Sequence, residues 1–425
     1  MERFAGTSAQ SSVDRALDAG TSAFGDLWQP RRVAIAPGRI ELLGNHLDYN
    51  GGPVLAAAID RFVVTAVGDA PDSDDNWFIA VDEAFPAAKP LGDLSAPPSV
   101  PPQTADYVRG VLAELRDRGQ PPVTGVRIAI AGDVPLGFGV SSSAALCVSL
   151  TLALSAGSLD DREVVLISQA AEHRAGSPCG TMDQSASVAG GVIDFDGATL
   201  HVNRLSPELG DYVFAVADSG VSRSLGTSSY PVRVSECREA LSLAHEHLSE
   251  DIPHLAAMTV DQLKRLEDLN ALSPALGRRA RHVIEETARV TVGRTAAAQA
   301  DWETFGRMMT ESGSSSATLY EISHPEVEEL VAVARAQPGV LGARMMGGGE
   351  GGAVLALLHR DSVNSFAGAL RADYYHPRGR ATDAGFIHIC SFAPGATVIA
   401  NQDPATRSAT NGENPSRNGI EASGN

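Results

Sequence analysis

A glycine- and serine-rich segment, Gly132–Ala145, contains residue types that suit phosphate binding. It follows a segment with the alternation of a strand and leads into an apolar helical segment. Glycines let the backbone approach an anion closely, and the N-terminus of a helix offers unpaired N–H groups to phosphate oxygens. The serines could instead cap an ordinary helix, or offer a hydroxyl to Mg²⁺. The candidate phosphate-binding residues are Pro135, Gly137, Gly139, Ser141, Ser142 and Ser143.

Lysine is almost absent from this chain, which restricts the kind of nucleotide site that it can form. Of 33 basic residues only Lys89 and Lys264 are lysines, and neither lies in a glycine-rich segment. A Walker-type loop needs a lysine on the β- and γ-phosphates. The sequence therefore excludes a Walker site and favours a phosphate loop that relies on backbone N–H groups and the helix dipole.

A second polar segment, Ala36–Gly52, concentrates groups that suit a ligand rich in hydroxyls. We interpret it as a single turn region that holds Arg39, Asn45, His46 and Asp48. Together these side chains supply both the donors and the acceptors that hydroxyl groups require. An ordinary polar turn with a structural Arg–Asp pair would have the same composition.

Two acidic residues are candidates for metal binding and proton transfer. Glu172 lies near the end of a predicted helix, and Asp183 lies in a loop eleven positions later. Such a pair could hold a metal ion and act as a base. Isolated acidic residues more often face solvent, so spacing alone leaves both readings open.

A second glycine-rich segment, Gly347–Gly352, lies between two apolar strands. It holds five glycines in six positions. Such a turn is expected where a ligand must approach the backbone closely. Gly348 and Gly349 are its candidate ligand-binding residues.

These segments must be positioned by strands and helices whose periodicity can be read from the sequence. Strands are predicted at 32–36, 62–67, 125–130, 192–195, 212–217 and 386–390, and on both sides of the second glycine segment within 340–358. Helices are predicted at 106–118, 144–154, 163–173, 232–248, 276–292, 302–311 and 363–374. Mixed elements without regular βαβ alternation favour an α+β fold.

The composition excludes several classes of protein. The chain has 425 residues, 43% of them apolar, which is enough for two domains with a core each. No apolar stretch reaches the roughly 20 residues that span a bilayer, and no export signal is visible, so a cytoplasmic protein without membrane contact is expected. A net charge of −19 without a long basic run argues against nucleic-acid binding. Four separated cysteines argue against a disulfide framework or a zinc cluster.

The four motifs, in this order, resemble those of the galactokinases within the GHMP family of small-molecule kinases. The first family motif reads Gly-Arg-x-Asn-x-x-Gly-Glu-His-x-Asp-Tyr-Asn-x-Gly. The chain matches it at Gly38, Arg39, Gly44, His46, Asp48, Tyr49, Asn50 and Gly52. Complete matches to the other three motifs occupy Pro135–Ala144, Cys179–Gln184 and Gly347–Gly352. The similarity covers roughly residues 31 to 396.

The resemblance implies a two-lobed α+β fold of the GHMP kinase type, with the active site between the lobes. An N-terminal lobe like ribosomal protein S5 would span residues 31–205, and a ferredoxin-like C-terminal lobe would span 206–400. Residues 1–30 would be an N-terminal extension, and 401–425, rich in Asn, Ser, Gly and Pro, would be a disordered tail. A galactokinase-type enzyme uses ATP and Mg²⁺ to phosphorylate the anomeric hydroxyl of a free sugar.

The resemblance also implies roles for single residues. Asp183 would lie beside the anomeric hydroxyl, as a general base or as an orienting anion, with Arg39 as its catalytic neighbour. Ser143 and Glu172 would bind Mg²⁺. The expected sugar contacts are Arg39, Asn45, His46, Asp48, Gly180, Asp183 and Tyr230.

The chain departs from the first family motif at positions that, by the resemblance, would help to recognise the sugar. Asn45 stands where galactokinases have Glu, and Glu41 stands where they have Asn, so an acid and an amide have exchanged places. Either Glu41 reaches into the pocket and restores the carboxylate, or it faces away and the preferred sugar changes. In addition, Leu47 replaces a threonine, and Glu350 adds a negative charge to the second glycine segment.

Three functions remain open on the sequence. They are a galactose 1-kinase, a 1-kinase for another sugar (a galactose derivative, an aldopentose or a uronic acid), and a catalytically silent galactokinase-like sugar sensor. Retention of Arg39, Ser143, Glu172 and Asp183 argues against the sensor, because a silent kinase commonly lacks one of them. The expected partners are ATP and a small sugar, and a monomer is expected, with a weak homodimer as the alternative.

Overall fold

The fold is known from a computed structural model that describes residues 8–70, 73–83, 86–120, 124–157, 159–221, 228–380 and 387–399. Two sheets and the helices packed against them make up the described chain. The prediction of an α+β fold is confirmed. The tail predicted to be disordered, 401–425, lies outside the described residues.

The first sheet is built around a long hairpin of two strands. Its members are β1 (Pro30–Leu43), β2 (Pro53–Asp69), β3 (Trp77–Ala80), β4 (Lys89–Pro90), β5 (Val126–Gly132), β6 (Val192–Asp196), β7 (His201–Leu205) and β12 (Thr397–Ile399). The strand order is β12-β1-β2-β5-β3-β4, and β6 pairs with both β2 and β7. Every pairing is antiparallel except that of β3 with β5. The chain thus returns to its first sheet with its last described strand.

The second sheet is a smaller antiparallel one. Its members are β8 (Tyr212–Asp218), β9 (Val340–Met346), β10 (Ala353–His359) and β11 (Ile387–Cys390), in the order β11-β8-β10-β9. The second glycine segment, Gly347–Gly352, connects β9 to β10 and therefore lies at one end of this sheet.

The helices carry clear start signals. Asp160 accepts a hydrogen bond from the backbone of Glu163 at the start of α4, and Ser273 caps α8 in the same way through Leu276. The helices are α1 (Ser8–Phe24), α2 (Thr104–Asp117), α3 (Ser142–Leu154), α4 (Asp161–Arg174), α5 (Met182–Ala189), α6 (Tyr230–His247), α7 (Val260–Asp268), α8 (Pro274–Ala298), α9 (Trp302–Thr318), α10 (Pro325–Arg335) and α11 (Val363–Ala369), which continues into a π-helical turn at Leu370–Tyr375.

Both faces of the first sheet are covered, because successive residues of a strand point to opposite faces. Val33 and Ile35 of β1 share a buried cluster with Val13 of α1. Ala34 and Ala36 belong to the core on the other face, where α3 packs against β1 and β2. Helix α1, for which the sequence analysis predicted no element, thus covers one face of the sheet.

The interpretation of Ala36–Gly52 as a single turn region was wrong for its first part, because β1 runs through Pro37 and Gly38 and ends at Leu43. A register shift between Pro37 and Arg39 marks a β-bulge, where a residue without an N–H group is tolerated. Arg39 therefore lies on a strand rather than in a turn. Asp183, expected in a loop, lies in the first turn of α5.

Candidate active site

A cavity of about 340 Å³ lies where β1, the phosphate loop Gly132–Ser141, the start of α5 and the second glycine segment meet. It is lined by Arg39, Glu41, His46, Asp48, Pro101, Pro102, Tyr107, Gly137, Gly139, Ser141, Ser142, Ser143, Ser177, Pro178, Cys179, Gly180, Met182, Asp183, Tyr230, Gly347 and Gly348. Among these lining residues Arg39 is the only arginine or lysine, beside three carboxylates. The charge of a polyphosphate bound here would therefore have to be offset by backbone N–H groups or by a cation as well as by Arg39.

An ion pair between Arg39 and Asp183 lies in this cavity. Arg39 donates to Oδ1 of Asp183 through Nε at 2.8 Å and approaches it through Nη2 at 2.7 Å. The other oxygen, Oδ2, accepts a hydrogen bond of 2.5 Å from the hydroxyl of Ser141. Arg39 also donates to the carbonyl oxygen of Gly139 at 2.5 Å. The carboxylate is thus fixed in position between a strand and the phosphate loop.

The phosphate loop has a backbone conformation that its glycines make possible. Gly137 and Gly139 have φ values of 83° and 68°, and Ser141, the residue before α3, has φ 59°. Few residues other than glycine adopt these angles without strain. Arg39 donates its backbone N–H to Val140 at 3.1 Å, which ties the loop to β1. The loop therefore presents the N-terminus of α3 to the cavity.

The second glycine segment closes against neighbouring backbone. A Cβ added at Gly349 would lie 2.3 Å from the carbonyl oxygen of Ile322, and one at Gly351 would lie 2.6 Å from that of Val221. Glycine is therefore required for packing at both positions. Glu350 lines neither this cavity nor the second one described below.

Glu172 and Ser143 form an oxygen pair at the start of α3. The Glu172 side chain is buried and is hydrogen-bonded to Ser143, and it accepts a bond of 2.6 Å from Nε2 of Gln184. Burial raises the pKa of Glu172 to about 7. No group of three or more His, Cys, Asp or Glu side chains suited to a metal occurs in the described ranges. The pair fits a hard cation that completes its shell with phosphate oxygens.

Asp48 and Gly180 form a close contact on the opposite wall. A side-chain carbon at Gly180 would lie 1.6 Å from Oδ2 of Asp48, so glycine is needed for the aspartate to occupy this position. Burial raises the pKa of Asp48 to about 7, and the nearby Asp183 carboxylate adds to the rise. The approach of two carboxylates favours a ligand that can donate hydrogen bonds to both.

His46 is held by a cluster of tyrosines. Its backbone has φ 62°, and its Nδ1 lies 2.7 Å from the hydroxyl of Tyr49, which lies 2.8 Å from that of Tyr320. The ring centroid of Tyr230 is 5.1 Å from that of His46. The cluster fixes the orientation of the imidazole and adds an aromatic surface to the cavity.

Asn45 and Glu41 occupy different places relative to the cavity. Asn45 is 0% exposed and does not line it, whereas Glu41 does. The Asn45 amide donates to Glu41 Oε1 and to the carbonyl oxygen of Gly347, both at 3.0 Å, and accepts from Ser316 at 3.0 Å. Asn45, expected to contact the sugar, therefore lies behind the wall that Glu41 forms.

A second cavity, of about 560 Å³, adjoins the phosphate loop. It shares Pro102, Tyr107, Ser142 and Ser143 with the first cavity. The rest of its lining combines polar and charged side chains, among them Asp82, Glu83 and Lys89, with apolar ones, namely Val63, Ala80, Ile130, Val134, Leu136 and Leu146. The apolar part of this cleft, next to a phosphate loop, suits a flat aromatic base. The sequence analysis missed it, because its residues come from separate strands and helices that only the fold brings together.

Comparison with known proteins agrees with this geometry. Three family models match the chain: the galactokinase galactose-binding signature at residues 21–69, the N-terminal domain of GHMP kinases at 106–191 and the C-terminal domain of GHMP kinases at 294–376. A galactokinase from Roseiflexus sp. is 34% identical over 385 residues, which cover 88% of this chain and 95% of the relative. The chain belongs to the galactokinase family.

Two further members of the galactokinase family extend the comparison. The galactokinase of Homo sapiens is 34% identical over 388 residues, covering 87% of this chain and 93% of the human protein. A crystal structure of Lactococcus lactis galactokinase complexed with galactose superimposes with a TM-score of 0.82 at 28% identity, covering 91% of this chain and 99% of that one. The two-lobed GHMP kinase fold expected from the sequence is confirmed.

The fold brings most of the predicted site residues of this galactokinase family member to one cavity. Arg39, His46, Asp48, Gly137, Gly139, Ser141, Ser142, Ser143, Gly180, Asp183, Tyr230 and Gly348 line it. Four predicted residues lie outside its lining, namely Asn45, Pro135, Glu172 and Gly349. Glu172 is nonetheless joined to Ser143, which does line the cavity.

Within the described residues, no helix has the length and apolar character needed to cross a membrane.

Proposed function

We propose that this protein transfers the γ-phosphoryl group of ATP to the anomeric hydroxyl of galactose. The observation that carries the proposal is the Arg39–Asp183 ion pair, which lies in the first cavity and is joined to the phosphate loop through Ser141. A sugar hydroxyl and a phosphate that meet in this cavity would contact this carboxylate and this guanidinium. The curated relatives named galactokinase, and the related structure that contains galactose, support galactose as the acceptor.

In the reaction, Asp183 accepts a hydrogen bond from the anomeric hydroxyl and orients it toward the γ-phosphorus. The anomeric oxygen forms a bond to phosphorus while the bond from phosphorus to the β–γ bridging oxygen breaks. The proton passes to Asp183 or to a phosphoryl oxygen, and ADP leaves. Arg39 stabilises the charge on the phosphoryl oxygens. Phosphoryl transfer depends mainly on positioning and electrostatic stabilisation, which this pair supplies.

ATP would bind across the two cavities. Its phosphates would lie on the backbone of the phosphate loop and the N-terminus of α3, where unpaired N–H groups favour anions. Its base would occupy the part of the second cavity next to Leu136 and Leu146. The two cavities share Ser142 and Ser143, so one extended ligand can occupy both.

We propose Mg²⁺ as the cofactor, held by Ser143 and Glu172. The cavity is acidic, and Arg39 is the only arginine or lysine in its lining, so a divalent cation is needed to offset the charge of ATP. Mg²⁺ is usually bound by one or two protein oxygens together with phosphates. When bound, the ion would neutralise negative charge on the transferring phosphoryl group.

Removing either oxygen ligand should raise the Mg²⁺ concentration required for half-maximal rate. We expect Glu172→Gln and Ser143→Ala each to raise it at least about tenfold, since even indirect changes at metal sites cost about 10–100-fold in affinity. Glu163→Gln is the matched control, because Glu163 lies at the distant start of the same helix α4 and is exposed. Unchanged Mg²⁺ dependence in both variants would place the ion elsewhere.

The proposed activity can be tested directly. Purified protein, ATP, Mg²⁺ and a panel of free sugars are combined in a coupled assay of ADP release, and ³¹P NMR identifies the product. We expect galactose to have the highest kcat/KM and the product to carry phosphate on its anomeric carbon. Binding of ATP and galactose without ADP release would contradict a kinase and favour a sensor. A higher kcat/KM for another sugar would contradict galactose as the preferred acceptor and leave the kinase activity standing.

Several expectations from the sequence stay predictions. They are the individual roles of the site residues, a cytoplasmic location, a monomeric enzyme, and the division of the chain at residue 205 into two domains. Size-exclusion chromatography with light scattering would test the monomer.

A further inference from the structure

The strand that carries Arg39 also carries Glu41 to the same side. Between residues 39 and 41 the pairing of β1 with β2 is regular, with Arg39 opposite Ala58 and Glu41 opposite Ala56. Residues two apart on a strand share a face. Both Arg39 and Glu41 line the first cavity. Ile40, between them, is fully buried in the core and does not line it.

The Glu41 carboxylate is held by one of its two oxygens. Oε1 accepts hydrogen bonds of 3.0 Å from Arg344 Nη2 and from Asn45 Nδ2. Arg344 is 0% exposed and also donates to the Glu41 carbonyl oxygen at 2.8 Å and to that of Met345 at 2.9 Å. Arg344 lies on β9, so the bond joins the two sheets. Within the described residues, Oε2 of Glu41 accepts no hydrogen bond.

The amide group of Asn45 is hydrogen-bonded within the protein at its nitrogen and at its oxygen. Both hydrogen atoms of its amide are donated, to Glu41 and to Gly347, and its oxygen accepts from Ser316. Its backbone is fixed as well, because the N–H donates to Glu286 and the carbonyl oxygen lies 3.2 Å from Nε2 of His282. Asn45 thus orients Glu41 and has no hydrogen atom left for a ligand in the cavity.

We propose that Glu41 is the carboxylate by which this protein recognises one hydroxyl of its sugar, and that Asn45 and Arg344 position it. This rests on the proposed function and names a specificity-determining residue of the same site. The free oxygen of Glu41 accepts a hydrogen bond from a sugar hydroxyl other than the anomeric one. The acid and the amide of the usual family motif have exchanged positions in this chain, and the acid, at 41, is the one of the two that lines the cavity, with the amide at 45 behind it.

The alternative is that Glu41 only neutralises the buried Arg344. Either role predicts a loss of activity when Glu41 is changed, so the experiment must distinguish recognition of the sugar from neutralisation of Arg344. A supporting residue affects every substrate alike. A recognising residue affects the galactose hydroxyl that it binds and leaves the contributions of the others unchanged, because a site built for a hydroxyl rejects the analogue that lacks it.

The experiment compares wild type and Glu41→Gln on galactose and on its 2-, 3-, 4- and 6-deoxy analogues, by kcat/KM. We expect removal of one particular hydroxyl to lower kcat/KM about 10–100-fold more in wild type than in Glu41→Gln, because that is the contribution of a hydrogen bond to a charged group. For that analogue alone, the ratio of galactose to deoxygalactose should fall to within about threefold of unity in Glu41→Gln. The ratios for the other analogues should stay as in wild type.

Two further variants keep the test decisive. Glu41→Asp retains a negative charge for Arg344 but withdraws the oxygen from the cavity, and it should reduce the same ratio if Glu41→Gln does not fold. Glu114→Gln is the control, because Glu114 is a buried glutamate that also pairs with arginines, Arg174 and Arg118, and lines neither cavity. A uniform loss on all sugars, or unchanged ratios in both Glu41 variants, would overturn the proposal and leave Glu41 a structural partner of Arg344.

Failure of the proposed function would be visible separately. If wild type does not phosphorylate galactose, calorimetric binding of galactose and the four deoxy analogues replaces kcat/KM as the measurement. Recognition by Glu41, in a protein that is not a galactose kinase, would then be supported if wild type bound galactose more tightly than one deoxy analogue and Glu41→Gln bound the two equally. Equal affinities for all analogues in both proteins would contradict it.

Discussion

Replacing Asp183 with asparagine should abolish turnover while ATP binding stays nearly intact. The carboxylate lies in the first cavity, held by Arg39 at 2.8 Å and by Ser141 at 2.5 Å, and Asp183 does not line the second cavity, where the base of ATP would bind. Loss of a positioned base typically lowers the rate by about 10²–10⁴-fold. The amide keeps the shape but cannot accept a proton, and it weakens the orientation of Arg39.

The measurement is kcat by coupled ADP release, with ATP affinity from calorimetry using a non-hydrolysable analogue. Asp194→Asn is the matched control, because Asp194 is a buried aspartate that accepts a bond of 3.0 Å from Arg294 but lines neither cavity. Thermal unfolding of both variants separates loss of chemistry from loss of structure. Activity of Asp183→Asn within a few-fold of wild type would remove Asp183 from the mechanism.

Several of the predicted site residues that the fold brings to the cavity are ones whose position demands a particular backbone angle or leaves no space for a side chain. Gly137 and Gly139 adopt positive φ in the phosphate loop, which is why they are glycines and why the loop is recognisable. Gly180 is a glycine because Asp48 fills the space of a side chain. Such requirements act locally, or on one neighbour, and therefore leave a signature in residue type.

The parts that the sequence did not predict depend on contacts between distant segments. Asn45 is turned away from the cavity by Ser316 on α9 and by Gly347 after β9, about 270 to 300 positions along the chain. One local signal was available for Glu41, since it stands two residues after Arg39. The predicted turn region Ala36–Gly52 hid this signal, because the two side chains share a face only if Arg39 and Glu41 lie on one strand.

The loop that follows β1 depends on a buried carboxylate on α8. Glu286 is 0% exposed, and its Oε1 accepts hydrogen bonds from the backbone N–H groups of Gly44 at 3.0 Å and Asn45 at 3.2 Å and from Ser312 at 2.7 Å. Its Oε2 accepts from Arg289 Nε at 2.7 Å. One side chain thus fixes the backbone just before His46 and Asp48 enter the cavity.

Changing Glu286 to glutamine should lower the free energy of unfolding by about 1–3 kcal/mol at pH 7, because the charge-assisted hydrogen bonds of Glu286 are lost and Arg289 keeps only the more exposed Glu285, at 3.7 Å, as its anion. Burial alone would raise the pKa of Glu286, but Arg289, His282, Arg344 and the hydrogen bond from Ser312 together outweigh it and hold the pKa at about 2, below the ordinary 4.5. A carboxylate with a lowered folded pKa stabilises the protein above its unfolded pKa and loses that contribution as pH falls. The difference between wild type and variant should therefore be constant above pH 5 and shrink from about pH 4.5 toward pH 2.

Urea unfolding at pH 7, 5 and 3.5 measures this difference. Glu267→Gln serves as the control, because Glu267 forms an exposed pair with Arg281 at 2.8 Å, and loss of such a pair costs about 0–1 kcal/mol. The folded Glu286→Gln protein should also show a raised KM for the sugar, since the backbone at Gly44 and Asn45 is released, with a smaller change in KM for ATP. A loss of stability below about 1 kcal/mol, or one that does not diminish at low pH, would mean that Glu286 is not the anion that holds this loop.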